Sequence, residues 1–332
     1  MKEKNINLGI EILRMILCFW IIAFHFGGTQ NKTKYKILKT FFHVPTFMII
    51  SFYYSYKLYV PNNILKIKQR LERLLIPFII IPIIQFGIIL LLEYSTINKK
   101  ELFSNLILQY LTGYAIIVPL WFLHILLIFT IFFEINFLLF FNKYLLILQI
   151  LSIISYWLQY SEINYKIFNN YKPHLRSVSH LAEMIPIAVT GITIGYIKLL
   201  DLLKRYRIKS MTFCLVILYF TYNYNIFGKF KGFPYSGIGP NIAGLCLFIS
   251  FFLIPFNKII NNKCYFNVIR KITRYTGGIY YFHPIIYNFF KNKNILQKKP
   301  ILTCIIIYLI GYFICLIGTK IFKNSKFKYL FN

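Results

Sequence analysis

Residues 6–27 read Ile6-Asn-Leu-Gly-Ile-Glu11-Ile-Leu-Arg14-Met-Ile-Leu-Cys-Phe-Trp-Ile-Ile-Ala-Phe-His25-Phe-Gly27. The run is long enough to cross a bilayer, which takes about 20 apolar residues. Yet it carries an acid, a guanidinium and an imidazole. Ionisable side chains at membrane depth cost roughly 2.5–3.5 kcal/mol each on insertion scales, and they persist where they face protein or water. Their spacing says how. Glu11 and Arg14 are neighbours at i, i+3 on one helix face and can pair. Arg14 and His25 are about three turns apart, so they project in nearly the same direction, separated by about 16 Å of helical rise.

Outward from this stretch the same texture continues. The chain has 332 residues, 58% of them hydrophobic and 14% charged. A soluble domain carries about 25% charged residues. The apolar residues fall in blocks, and ten spans are expected: 6–27, 38–58, 75–93, 118–141, 144–160, 179–198, 209–223, 237–257, 275–290 and 301–322. The fold class is all-α and polytopic. No cleavable leader is expected, because the first block is too long and lacks a small-residue cleavage site. No repeat or linker divides the chain, so a single membrane-embedded domain over 1–332 is expected.

The net charge is +29, from 38 Lys and Arg against 9 Asp and Glu. Most of it lies between the apolar blocks, which is the pattern of membrane topology and attraction to anionic headgroups. No binding module accompanies it, so nucleic acid is not expected as a partner. Lys and Arg favour the segments that lie on the N-terminal side of the membrane, which puts both termini in the cytoplasm and the protein in the cell membrane as a multi-pass chain. The six cysteines form no CxxC pair and read as small apolar residues. No His-x-x-x-His or similar spacing is present, so no metal site is expected.

The chemistry-bearing residues are few. With this topology His25, His43, His124, His174 and His180 lie towards the outer face, and His283 lies well inside a span. Imidazole suits proton transfer near neutral pH. The segment between spans 2 and 3 reads Lys66-Ile-Lys68-Gln-Arg70-Leu-Glu-Arg73-Leu-Leu-Ile-Pro77. Arg70 and Arg73 at i, i+3 can address one anion, and guanidinium forks suit phosphate oxygens. The same basic run also serves simple topological retention. Glu134 and Glu183 are isolated carboxylates in apolar runs, each in need of a partner or a proton. Residues 102–111 are amphipathic and suit an interfacial position.

Taken together these segments resemble the acyltransferase-3 membrane family. Glu11-x-x-Arg14 followed by ten residues and His25 is similar to its first-helix signature. Arg70-Leu-Glu-Arg73 with Pro77 resembles its Arg-x-x-Arg loop. His43-Val-Pro-Thr-Phe-Met-Ile-Ile-Ser51 resembles its second-helix segment, with Phe52 where the family usually has Gly. Pro119-Leu-Trp121-Phe-Leu123 and Gly278-Ile-Tyr280-Tyr-Phe-His283-Pro284 match two later motifs. The resemblance runs from residue 11 to 284.

The resemblance implies an integral membrane enzyme that moves an acyl group, usually acetyl, from cytoplasmic acetyl-CoA to an acceptor. That acceptor is often a hydroxyl of a surface polysaccharide or its lipid-linked precursor. It implies His25 as general base, Arg14 steadying polar atoms of the donor or the developing oxyanion with Glu11 restraining it, and Arg70, Arg73 and Lys68 holding the phosphates of CoA. Trp121, Glu134, His180, Glu183 and His283 are the candidates for the acceptor. Direct transfer and an acyl-histidine intermediate both fit these residues. A polysaccharide flippase or polymerase also combines many spans with buried charge, but does not account for Arg-x10-His together with Arg-x-x-Arg. A secondary transporter should show two related halves, and none is visible.

Overall fold

The computed structural model describes residues 7–26, 42–56, 64–92, 99–113, 120–135, 150, 173–223, 238–256, 263–290 and 300–331. Among them there is no strand. The helices are α1 Leu8–Phe26, α2 His43–Tyr56, α3 Ile64–Leu92, α4 Lys99–Thr112, α5 Trp121–Ile135, α6 Pro173–Tyr196, α7 Leu199–Arg205, α8 Arg207–Asn223, α9 Ile238–Leu253, α10 Lys263–Arg274, α11 Thr276–Phe290 and α12 Pro300–Ile321, followed by a 3-10 turn at Lys326–Leu330.

Three helical stretches are long and apolar enough to cross a membrane: Leu8–His25, Ile67–Leu91 and Ile301–Ile321. A fourth is the pair Met184–Tyr196 and Leu199–Arg205, bent by 62°. The bend falls where Lys198 adopts a left-handed conformation, φ 52°. Shorter apolar helices occupy Trp121–Ile131 and Gly239–Leu253. Ile301, Ile305, Leu309, Phe313 and Ile317 are all exposed, one stripe at i, i+4 along α12. Bare apolar surface of that length fits lipid as its solvent, since helix faces in a bilayer need no polar cover. Span 5, expected at 144–160, lies outside the described residues apart from position 150.

The chain groups into two compact units, one of Met1–Lys57, Ile187–Thr276 and Lys293–Tyr312, the other of Leu58–Pro186, Gly277–Asn292 and Phe313–Asn332. In the first, α1 packs on α2, α9 and α10. Asn7 begins α1 as an N-cap, its Oδ1 accepting from the Ile10 N–H at 3.3 Å, while its amide donates to the Phe252 carbonyl at 2.9 Å. Gly9 follows because a Cβ there would run into the Phe251 backbone. Leu13, Leu17, Ile21 and Ile22 carry the buried face onward at helical spacing.

In the second unit α3 packs against α4, α5 and the 3-10 turn. Span 3 was expected to start at 75, with the basic run ahead of it as a loop; the helix starts at Ile64 instead. The reason is that Ile67, Leu71 and Leu74 keep helical spacing through the charged residues, and Pro77 and Pro82 are accommodated inside the helix. At about 1.5 Å per residue its 29 residues outrun the roughly 30 Å hydrocarbon core. Arg70 and Arg73 therefore lie on the N-terminal turns of α3, its overhang, and not in a loop. The amphipathic stretch 102–111 is helical too, and it packs on α3: the Tyr110 hydroxyl donates to the Ile79 carbonyl at 2.7 Å.

Candidate active site

Arg14 is held from two sides. Its Nη1 donates to both Glu11 carboxylate oxygens at 3.3 and 3.4 Å, and its Nη2 to the Thr276 hydroxyl at 3.4 Å. Thr276 in turn donates its hydroxyl proton to the Thr273 carbonyl at 2.9 Å, so its oxygen lone pairs are turned to the guanidinium. One turn along α1 the Cys18 thiol donates to the Thr276 carbonyl at 3.5 Å. These bonds clamp the start of α1 to the junction of α10 and α11. The Arg14 side chain remains 34% exposed, and Glu11 16%. Guanidinium has five N–H donors, and Glu11 and Thr276 use only part of that set. Tyr54 on α2 lies close enough to feel the charges of both Glu11 and Arg14.

His25 sits at the other end of the same helix and is exposed. The Phe24 ring meets it edge-on at 5.6 Å and also lies 5.2 Å from the ring of the buried His43. Trp20 packs on Phe42 at 5.0 Å, completing an aromatic collar around this end of α1 and the start of α2. The predicted trio of Glu11, Arg14 and His25 thus shares one rigid helix, with the ion pair at its head and the imidazole in its last turn.

Arg70 and Arg73 lie on the overhang of α3, and different neighbours engage them. Arg70 Nε donates to the Thr130 hydroxyl of α5 at 3.2 Å. Arg73 stands over the Tyr329 ring, 5.7 Å from its centroid. Lys68, on the same overhang, is exposed. Glu72 between them pairs with Lys326 at 2.7 Å. That hydrogen bond and the carboxylate charge hold the Lys326 ammonium above its ordinary range, so it stays charged.

His283 is fully buried on α11, and its Nδ1 is 2.6 Å from the Tyr280 carbonyl. A carbonyl only accepts, so Nδ1 carries the proton and Nε2 is the acceptor in the neutral ring. The next residue supplies the cause. In a regular helix the N–H of residue 284 would donate to the carbonyl of residue 280; Pro284 has no N–H to give, and the histidine ring donates there instead. Pro284→Ala is expected to restore the main-chain donor, loosen the ring and mix its tautomers while α11 keeps its fold. Ring ¹⁵N shifts of labelled histidine would read this, and an unchanged Nδ1–H signal would refute the account.

Of the remaining expected residues, Trp121 is buried in the first turn of α5, edge-on to Phe122 at 6.1 Å. Glu134 falls in the last turn of α5, and His180 and Glu183 fall on α6, with side chains outside the described ones. Among the described residues no group of His, Cys, Asp or Glu is arranged to hold a metal. Sequence reasoning missed Thr276, Thr130, Glu72 and Tyr329. For the last of these the signal is Lys326-Phe-Lys328-Tyr329, which alternates basic and aromatic residues as a binding segment would.

The profile of the acyltransferase-3 family, described as an acyltransferase domain, matches residues 7–320. A protein of Staphylococcus aureus strain Mu50, named as a probable poly-beta-1,6-N-acetyl-D-glucosamine export protein, is 28% identical over 331 residues, covering 89% of this chain and 87% of its own length. The protein of the same name from strain MRSA252 is 26% identical over 330 residues, with the same shares covered. No solved structure matches the chain. With the family profile matched along nearly all of its length, the chain belongs to the acyltransferase-3 family.

Proposed function

We propose that this protein is a membrane-bound O-acyltransferase of the cell membrane. It takes an acyl group, acetyl by preference, from cytoplasmic acetyl-CoA and places it on a hydroxyl of an extracytoplasmic or lipid-linked surface glycan. The observation that carries the reading is α1 itself: a clamped guanidinium at one end and an exposed imidazole at the other, on one helix long enough to span the membrane. In this reading the chain is one acyltransferase domain of ten spans with both termini in the cytoplasm.

The steps follow from the side chains. Arg70, Arg73 and Lys68 hold the donor phosphates beyond the cytoplasmic end of α3. His25 accepts the proton of the acceptor hydroxyl as its oxygen attacks the thioester carbonyl. Arg14, about 16 Å before His25 along α1, donates to polar atoms of the donor and so sets how far the thioester reaches towards the imidazole, and Glu11 and Thr276 keep the fork from turning. The C–S bond then breaks, and the imidazolium returns its proton to the leaving CoA thiolate. Trp121, Glu134, His180, Glu183 and His283 are proposed to line the acceptor's path.

The test is consumption of acetyl-CoA by the purified protein in lipid, with and without a glycan acceptor, and mass analysis of the product. Acceptor-dependent release of CoA with a matching mass gain is expected. The name of the Staphylococcus aureus relatives favours a second reading, export of a polysaccharide, here taken as a flippase or polymerase without acyl transfer. In that case the acceptor would cross the vesicle wall with its mass unchanged, and acetyl-CoA would stay intact.

A further inference from the structure

The segment after α12 is seated on the second unit by its own side chains. Ser325 caps the 3-10 turn, accepting from the Phe327 N–H at 3.1 Å. Phe331 stacks on Phe282 at 5.6 Å and on Phe322 at 5.7 Å, with interplanar angles of 13° and 9°. It lies against Gly278 and Gly318, where any Cβ would collide with it. Two glycines and two stacked rings make this a built seat, and it fixes where the preceding residues go.

They go to the basic overhang of α3. Lys326 reaches Glu72, and the Tyr329 ring has Arg73 at 5.7 Å and Lys328 at 5.5 Å from its centroid. Glu72 also feels the charges of Lys68 and Lys328. Lys68, Arg73, Lys326 and Lys328 are therefore gathered around one carboxylate and one aromatic face, with Arg70 one turn before Arg73 on α3. The carboxylate and the ring offset the mutual repulsion of the cations. They do not neutralise it, so the cluster favours an anion of several charges.

CoA is such an anion: it presents a diphosphate and a separate 3′-phosphate on its ribose. Two arginines at i, i+3 cover about 5–6 Å of helix surface, and here Thr130 draws one sideways while Tyr329 draws the other towards the tail. We propose that Lys326 and Lys328 belong to the donor site, binding phosphate groups of acyl-CoA together with Arg73, with Tyr329 and Glu72 as the residues that position them. This rests on the reading of the α3 overhang as the place where donor phosphates are held.

The test uses the full chain in nanodiscs of phosphatidylcholine, with CoA and 3′-dephospho-CoA titrated by calorimetry. The double variant Lys326→Gln with Lys328→Gln is expected to weaken CoA by about tenfold or more, the loss of charge-assisted contacts. Both residues to Arg should restore it. Lys326 is exposed and Lys328 half-buried, and Gln is shorter than either, so the glutamine variant crowds no neighbour. Arg70→Ala with Arg73→Ala runs alongside. If that pair weakens CoA and the glutamine pair does not, the tail is no part of the site and the overhang reading stands. If neither pair matters, the overhang reading itself falls and takes the tail with it. A repeat in phosphatidylglycerol separates donor from lipid: an effect seen only there would make the tail a headgroup patch and overturn the proposal.

Discussion

His25→Ala is expected to abolish acyl transfer while donor binding holds. The imidazole is exposed in the last turn of α1, so its removal opens no cavity, and the edge contact with Phe24 is among what is lost. A general base contributes about 10²–10⁴-fold to rate, and a methyl group cannot accept the hydroxyl proton. The donor phosphates are assigned to α3, so CoA affinity should stay within about twofold in calorimetric titration. Turnover is best followed as release of CoA in vesicles supplied with donor outside and acceptor inside. Near-normal turnover would remove His25 from the mechanism. His283, whose Nε2 is already set as an acceptor, would then be the candidate to test.

The second large effect is Arg14→Lys, with an expected fall of about 10²-fold in kcat, the scale of a donor misplaced by about 1 Å. The charge survives this change; the fork does not. Arg14 reaches Glu11 with one nitrogen and Thr276 with the other, and a single ammonium can keep one partner only. Folding should hold, because Lys retains the pairing with Glu11. The kinetic signature discriminates roles. Loss of transition-state stabilisation lowers kcat with KM little changed, whereas loss of uniform substrate binding raises KM alone. Thr276→Val should act in the same direction and more weakly, since it removes one restraint and leaves the guanidinium. An Arg14→Lys protein with full kcat would show that the planar fork is dispensable.

Much of α1 was legible because its information is local. An ion pair at i, i+3 and an imidazole eleven residues on can be placed by helical geometry without knowing any neighbour, and the helix runs from Leu8 to Phe26 within the expected 6–27. The clamp on Arg14 was not legible. Thr276 is 262 residues away, and nothing in Thr273-Arg-Tyr-Thr276 marks it as a partner. The charge density of the α3 overhang predicts a loop, while the helix obeys the spacing of Ile67, Leu71 and Leu74. In α10 the Lys and Arg mask a face of the same kind, with Phe266, Ile269 and Ile272 recurring at helical spacing among them. His283 was chosen from resemblance, and only the structure supplies the reason for Pro284 beside it.

The Glu11–Arg14 pair has a consequence for how the protein is made. The other partner of Arg14, Thr276, is synthesised long after α1 must enter the bilayer. An unpaired guanidinium at that stage would bear the full insertion cost of a charged group, about 2.5–3.5 kcal/mol. Glu11 sits one turn earlier on the same helix and satisfies Arg14 from the moment α1 forms. The helix can thus wait in lipid as a self-contained, electrically balanced unit, and Thr276 later tightens a charge that was never left alone during synthesis.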